Sequence, residues 1–466
     1  MKRHSQYPPG PNPRLPGTNL LKFRRDPLGF LTRVVREYGD IAHFTLGRQH
    51  VYLLNHPEYV KDVLVTHARK FKKGRILERA KRVLGEGLLT SEGEFHLRQR
   101  RLMQPAFHQR RIAEYGAAMV DAAVRWRERW HDGETRDIHA EMMGLTLTVA
   151  GQALFGADVE RDSGNVREAL NVVMEVFNFV LLPFSELLEH LPLPQVRRVD
   201  AARRRLDEIV FRLIAERRHD PRFAQRTDLL SMLLRAQDTE GNSGHMTDQQ
   251  VRDECVTIIL AGHETTANAL TWTWYLLSQH PQVEARLHQE IDRALGGRVP
   301  GASDLPALRY AEMVLTESMR LYPPAWGVAR KALEPHTIAG YEIPTGALLL
   351  MNQFVMHRDP RWYREPEAFR PERWESEVPQ KFAYFPFGGG PRQCIGEGFA
   401  WMEGVLLLVS LAQHWRMRVA EGQRVALKPV ITLRPRYGMR MVLTNHTAED
   451  QTKYAAHVGT SGTSNT

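Results

Sequence analysis

The 466-residue sequence predicts a mainly α fold with a minor β region. Helical periodicity dominates from residue 58 to about residue 330. Short alternating stretches flank it, at 41–54 and again after Pro324. The composition, 42% hydrophobic and 25% charged, excludes a disordered or fibrous chain and supports a large core. Residues 1–445 are expected to form a single domain, and 446–466, small and polar, a disordered tail.

The elements follow in chain order. Residues 1–17 contain no apolar signal core, and no run of roughly 18 apolar residues occurs, so neither a leader nor a membrane anchor is expected. The prolines of PPGP at 8–11 favour a stiff, extended lead-in. Residues 41–54 form two short strands around Gly47, and Pro57 opens a helix. The apolar, proline-broken segment 177–194 reads as core or as a mobile lid. The longest helix runs from Thr247 to His280, a rod of about 48 Å. Thr247 and Gln250 make its capping box, and Met246 with Val251 a hydrophobic staple. Inside it, AGHETTA at 261–267 places small and polar residues in bulky surroundings. Two further helices follow, 281–295 and around 305–322. Beyond Pro323-Pro324 the pattern turns to short strands, with turns at Gly340 and 344–346. Proline-rich and glycine-rich loops, a buried helix over 398–415 and strand-like alternation at 424–443 complete the chain.

The formal net charge is +9, but the basic residues are spread along helices beside acidic ones, as at 198–218. That is the pattern of solvated helix faces, with an acidic docking protein as the functional alternative and no nucleic-acid partner expected. Only two cysteines, Cys255 and Cys394, are present, which excludes a disulfide framework and favours a reducing cytoplasm.

The strongest chemical signal is FGGGPRQCIG at 387–396. A cysteine ligand to a flat cofactor needs an open backbone, which glycines provide, and donors that stabilise the thiolate, which a following helix N-terminus provides. The third glycine of a dinucleotide loop is missing, since Gln393 stands there. Two weaker signals accompany it. ESMR at 317–320 puts Glu317 and Arg320 on one helical face, with FRPERW at 369–374 downstream. AGHETT at 261–266 sets an acid beside an alcohol, but a zinc-protease reading fails because position 267 is Ala. His357-Arg358-Asp359 lacks every companion of a kinase loop and reads as structural. Cys255 reads as an inert small hydrophobe.

The spacing Phe387-x-x-Gly390-x-Arg392-x-Cys394-x-Gly396 resembles the haem-binding signature of the cytochrome P450 family at every defined position. The resemblance spans roughly residues 8–440. It implies a helix-rich triangular domain with haem b between the long helix and the cysteine loop, Cys394 being the iron ligand. It implies that Glu317, Arg320 and Arg373 join in a buried ionic cluster. It implies that Glu264 and Thr265 serve oxygen activation beside Ala261, and that His96, Arg100, Arg330 and Arg392 hold the haem carboxylates. His96 departs from the Trp common at that position. The implied activity is monooxygenation of a lipophilic substrate, a fatty acid or a terpenoid, with O2. Neither a flavin nor an iron–sulfur cluster is expected in this chain, so electrons would come from a ferredoxin or flavodoxin with its reductase. The competing readings are a peroxide-driven hydroxylase, an oxygen-independent isomerase and a non-catalytic haem sensor; the acid–alcohol pair argues against each. The expected substrate walls are 76–89, 177–184, Ala261, Ala267, 325–328 and 431–433.

Overall fold

A computed structural model of the chain describes residues 7–156, 193–236, 244–376 and 379–446, with positions 164, 166, 168, 169 and 172. The expected substrate wall at 177–184 and the tail beyond residue 446 lie outside the described residues.

The core is helical. The long helix, Asp248–Gln279, is buried on nearly all sides, with Val251, Trp272 and Trp274 among its sealed residues. Its start is set by the expected capping box: the Gln250 backbone N–H donates to the Thr247 hydroxyl at 3.2 Å, and the Thr247 N–H to the Gln250 side chain at 2.9 Å. Met246 and Val251 are both buried there. Against this rod pack the helices Ile138–Phe155, Arg309–Leu321 and Glu397–Ala412. The last of these, the cysteine helix, is apolar in its second half except for Ser410, so it is sealed in the core while its first turn follows the cysteine loop.

Twelve strands occur among the described residues: β1 (Ile41–Leu46), β2 (Gln49–Leu54), β3 (Phe71–Lys73), β4 (Thr135–Asp137), β5 (Val328–Ala332), β6 (His336–Ile338), β7 (Tyr341–Ile343), β8 (Leu348–Met351), β9 (Trp415–Val419), β10 (Leu427–Pro429), β11 (Leu433–Pro435) and β12 (Arg440–Asn445). The main sheet has the order β1-β2-β8-β5-β3, with β2 and β8 parallel and the other pairs antiparallel. β12 lies between β4 and β9, while β6-β7 and β10-β11 are separate pairs. Strands β3 and β4 interrupt a region that the sequence pattern reads as helical. Residues 76–89, an expected substrate wall, are mostly the amphipathic helix Arg75–Leu84, with Ala80, Val83 and Leu84 buried in the core.

Pairing of β3 with β5 brings Lys73 opposite Arg330, two basic side chains from positions far apart in the chain. Among the described residues, no helix is long and apolar enough to cross a membrane.

Candidate active site

Cys394 ends a short loop that starts at Phe387. The Cys394 backbone N–H donates to the Phe387 carbonyl at 3.0 Å, and the Phe387 ring leans on Trp401 of the cysteine helix. Gly390 has φ +68°, and an added Cβ would stand 1.9 Å from the Leu64 carbonyl oxygen. Only glycine fits there. Gly396 is different: its φ is ordinary, and a Cβ would meet only the Phe107 ring at 3.7 Å. Cys394 is exposed although it lies deep in the molecule. Depth pushes the thiol pKa up to about 11, against a backbone hydrogen bond from Gly396 that favours the thiolate. Cys255, in contrast, is sealed in the core, and burial pushes its thiol up further.

Five basic groups surround the approach to this loop. Arg100 donates to the Gln393 carbonyl, next to the cysteine, at 2.7 Å. Arg392 pairs with Glu92 and donates to the Ser91 carbonyl at 3.2 Å. Lys73 donates to the carbonyls of Leu88 and Ser91, both at 2.9 Å. Burial, with repulsion from Arg392, brings the Lys73 pKa down to about 7. Burial and four basic neighbours hold His96 down at about 3, so its imidazole is neutral. Arg330 lies deep and donates to the Ala329 carbonyl at 3.0 Å; burial and Arg392 lower its pKa to about 10. Glu92 is the carboxylate that compensates most directly.

The long helix opens on one short arc. Ala261 is exposed and Gly262 and Thr265 are half-buried, while their neighbours are sealed. The Thr265 hydroxyl donates to the Ala261 carbonyl at 2.8 Å, spending its proton on the helix backbone. Glu264 is buried on a different side of the same turn. Its carboxylate accepts from Arg434 Nε at 2.7 Å and from the Thr432 hydroxyl. Burial pushes its pKa up, but the Arg434 hydrogen bond and charge and the Thr432 hydroxyl outweigh it, leaving the carboxyl below its usual range. Glu264 is therefore held by Arg434 and Thr432, two partners outside its own helix.

Three groups here carry no local sequence signal. Thr432 and Arg434 stand about 170 residues from Glu264. Glu403, on the cysteine helix, is fully buried and faces the Thr266 hydroxyl without a well-formed hydrogen bond. Burial raises its pKa to about 8. Two expected wall positions belong to the core instead: Ala267 and Leu433 are sealed, and the Leu433 carbonyl accepts from the Trp272 indole at 2.8 Å.

The ionic cluster is compact. Glu317 accepts from Arg320 through both oxygens at 2.8 Å, from Arg373 Nε at 2.9 Å and from the Trp374 indole at 3.0 Å. Arg320 spends its remaining donors on the carbonyls of His357, Pro366 and Ala368. His357 Nε2 in turn accepts from the Phe385 N–H at 3.1 Å, just ahead of the cysteine loop.

Against known proteins, residues 8–438 match the family model described as Cytochrome P450. The chain belongs to the cytochrome P450 family. It is similar to cyclooctatin synthase of Streptomyces melanosporofaciens, 39% identical over 92% of this chain and 94% of the relative. It is similar to cyclooctat-9-en-7-ol 5-monooxygenase of the same organism, 39% identical over 89% of this chain and 90% of the relative. Pentalenene oxygenase of Streptomyces avermitilis is 36% identical over 87% of this chain and 91% of the relative. As a P450 monooxygenase the chain is an oxidoreductase that takes haem and incorporates molecular oxygen.

The residues present fit that group. An exposed cysteine stands at a helix start, and the basic set beside it exceeds the carboxylate charge that the protein supplies. Such an excess suits a ligand with two carboxylates.

Proposed function

We propose that this P450 hydroxylates or epoxidises a terpenoid, using haem b on Cys394. The observation that carries the catalytic part is the deep but exposed Cys394 together with the opening of the long helix at Ala261, Gly262 and Thr265. The substrate class is supported by relatives named for oxygenation of cyclooctat-9-en-7-ol and pentalenene, the first a cyclic alkenol and the second an alkene by their names. The small, uncharged arc on the long helix suits an apolar ligand, and the relatives' named substrates favour a terpenoid over a fatty acid.

When bound, haem supplies dioxygen activation, which thiolate ligation favours. The chain does the rest. Arg100, Arg330 and Arg392, with neutral His96 as a hydrogen-bond donor, would hold the two carboxylates. Phe387 packs the loop against Trp401 of the cysteine helix. Exposed Ala261 would leave room beside the group. With the group bound, the Thr265 hydroxyl, now donating to the Ala261 carbonyl, would be the donor nearest the opened arc, and Glu264, held ionised by Arg434, would accept protons from solvent and pass them on. Glu317, Arg320 and Arg373 keep the cysteine loop in register. Residues 1–445 act as one domain. Electrons come from a ferredoxin or flavodoxin with its reductase, since two cysteines cannot supply the four thiolates of a common iron–sulfur cluster.

The test has two stages. The reduced, carbon-monoxide-bound spectrum should show a strongly red-shifted Soret band that Cys394→Ala abolishes. Cyclic terpene alcohols should then displace water from the resting enzyme and shift its Soret band, and Thr265→Ala should consume electrons with little product. A Soret band at the histidine-haem position would reject the thiolate. Spectral shifts with long-chain fatty acids alone would reject the terpenoid.

A further inference from the structure

We propose that Asp62, His67 and His336 form a binding site for a divalent first-row metal ion, separate from the haem site. Asp62 Oδ1 lies 2.6 Å from His67 Nδ1, and Asp62 Oδ2 lies 2.7 Å from His336 Nε2. The two imidazole centres are 4.7 Å apart. One ligand atom from each residue falls within 4.8 Å of the others.

The backbone builds this triad deliberately. Asp62–Thr66 is a π-helical turn, closed by the His67 N–H donating to the Asp62 carbonyl at 2.8 Å. An α-helix would rotate a residue five positions on to the far side. The wider π turn brings position i+5 back over position i, so Asp62 and His67 meet. Such turns are rare and recur at functional sites. His336 arrives from another element, β6, and its ring is fixed edge-on against Phe71.

The chemistry selects the ligand class. Two imidazoles and one carboxylate form a three-ligand set suited to zinc and its neighbours, with further positions left for water. The His336 side chain is 8% exposed and anchors the site, whereas His67 is 40% exposed and leaves the solvent side open. Bonds of about 2.0–2.2 Å to an ion need ligand atoms a little over 3 Å apart, so the present gaps widen by roughly 0.6 Å. That is a small rotation of Asp62. Each imidazole then offers the lone pair that faces Asp62 and carries its single proton on the opposite ring nitrogen. An imidazolium at either position releases one proton to solvent. The π turn also abuts the cysteine loop, where the Leu64 carbonyl sits against Gly390, so a bound ion would brace the surface under that loop.

The test uses the haem-loaded full chain without an affinity tag, stripped with a chelator and titrated with Zn2+ by calorimetry. Crystals of the zinc-treated protein are measured at the zinc absorption edge. We expect saturable one-to-one binding and an anomalous peak among the three side chains. His67→Ala and Asp62→Asn should each weaken binding by roughly 100-fold, with haem content unchanged. Both changes sit at a partly exposed position, and Asp62→Asn preserves shape, so folding survives at least one of them. No saturable binding, equal binding by the variants, or a peak elsewhere would overturn the proposal.

Discussion

Two buried clusters of charge lie close to the cysteine loop, and they are built on opposite principles. In the Glu317 cluster every strong donor of Arg320 has a protein acceptor, and the carboxylate receives two guanidinium groups, an indole and the Arg370 backbone N–H. All three charged side chains are sealed. In the basic cluster of Lys73, His96, Arg100, Arg330 and Arg392, burial lowers the proton affinity of every member, basic neighbours lower that of Lys73, His96 and Arg330 further, and Glu92 is the carboxylate set against them. The first cluster is complete without a ligand. The second leaves basic groups in excess of the carboxylates beside them, the balance that the proposed haem carboxylates would redress. Burial of charge alone therefore does not mark a binding site; an unbalanced burial does.

The largest expected effect tests the complete cluster. Glu317→Gln leaves Arg320 and Arg373 buried without an anion, a loss of about 3–5 kcal/mol. Soluble yield and the guanidinium unfolding midpoint of the holoprotein should both fall sharply. A variant that folds normally and loses only turnover would make Glu317 part of the chemistry and erase the contrast.

Next comes Arg330. On the proposed cradle, Arg330→Met would remove a charge-assisted contact to a haem carboxylate worth about 2 kcal/mol, so haem release should accelerate roughly 30-fold. Haem dimethyl ester, which lacks free carboxylates, separates this from general loosening. The native protein should hold the ester less well than haem, while Arg330→Met should treat the two nearly alike. Equal discrimination by both proteins would remove Arg330 from the cradle.

Lys73 supplies a pH dependence. Its folded pKa of about 7 lies below the ordinary 10.5, so between these values the unfolded chain binds the extra proton. The cost of a buried ammonium is complete below about pH 7 and disappears as pH rises toward 10.5, so this group makes stability increase across that window. An incoming carboxylate favours the ammonium, so haem binding takes up a proton. Haem release should thus accelerate between pH 7 and 10, by up to about tenfold per pH unit, and Lys73→Met should flatten that slope. A slope unchanged in the variant would assign it to another group.

The same contrast explains what could be read without coordinates. The cysteine loop is legible because ten consecutive residues carry it, and Glu317 with Arg320 because a helix puts them on one face. The capped start of the long helix and the β1-β2 pair are also local patterns. Strands β3 and β4, three residues each, are too short for alternation to show. Lys73 escaped notice because only sheet pairing sets it opposite Arg330. Apolar positions were misassigned as substrate walls at Ala267 and Leu433, since hydrophobicity cannot tell a cavity-facing residue from a core one. The partners of Glu264 carry no local signal because they are about 170 residues away on another element.

That last case gives the smallest and most diagnostic effect. In the native protein Arg434 and Thr432 hold Glu264 ionised against the opposing pull of burial. Arg434→Gln removes the charge and leaves burial dominant, so the Glu264 pKa climbs above the usual carboxylate range. Turnover should drop by roughly tenfold, within the range of a displaced general acid–base group, with KM little changed. The profile of kcat against pH should gain an ionisation near neutrality. Thr432→Val removes a hydrogen bond and no charge, so it should show the same change in weaker form. A purely structural pairing would lower stability and leave the pH profile alone. If so, Arg434 would belong with the complete cluster as a fastening between strand and helix, and the proton path would have to run elsewhere, past Thr266 and the protonated Glu403 on the cysteine helix.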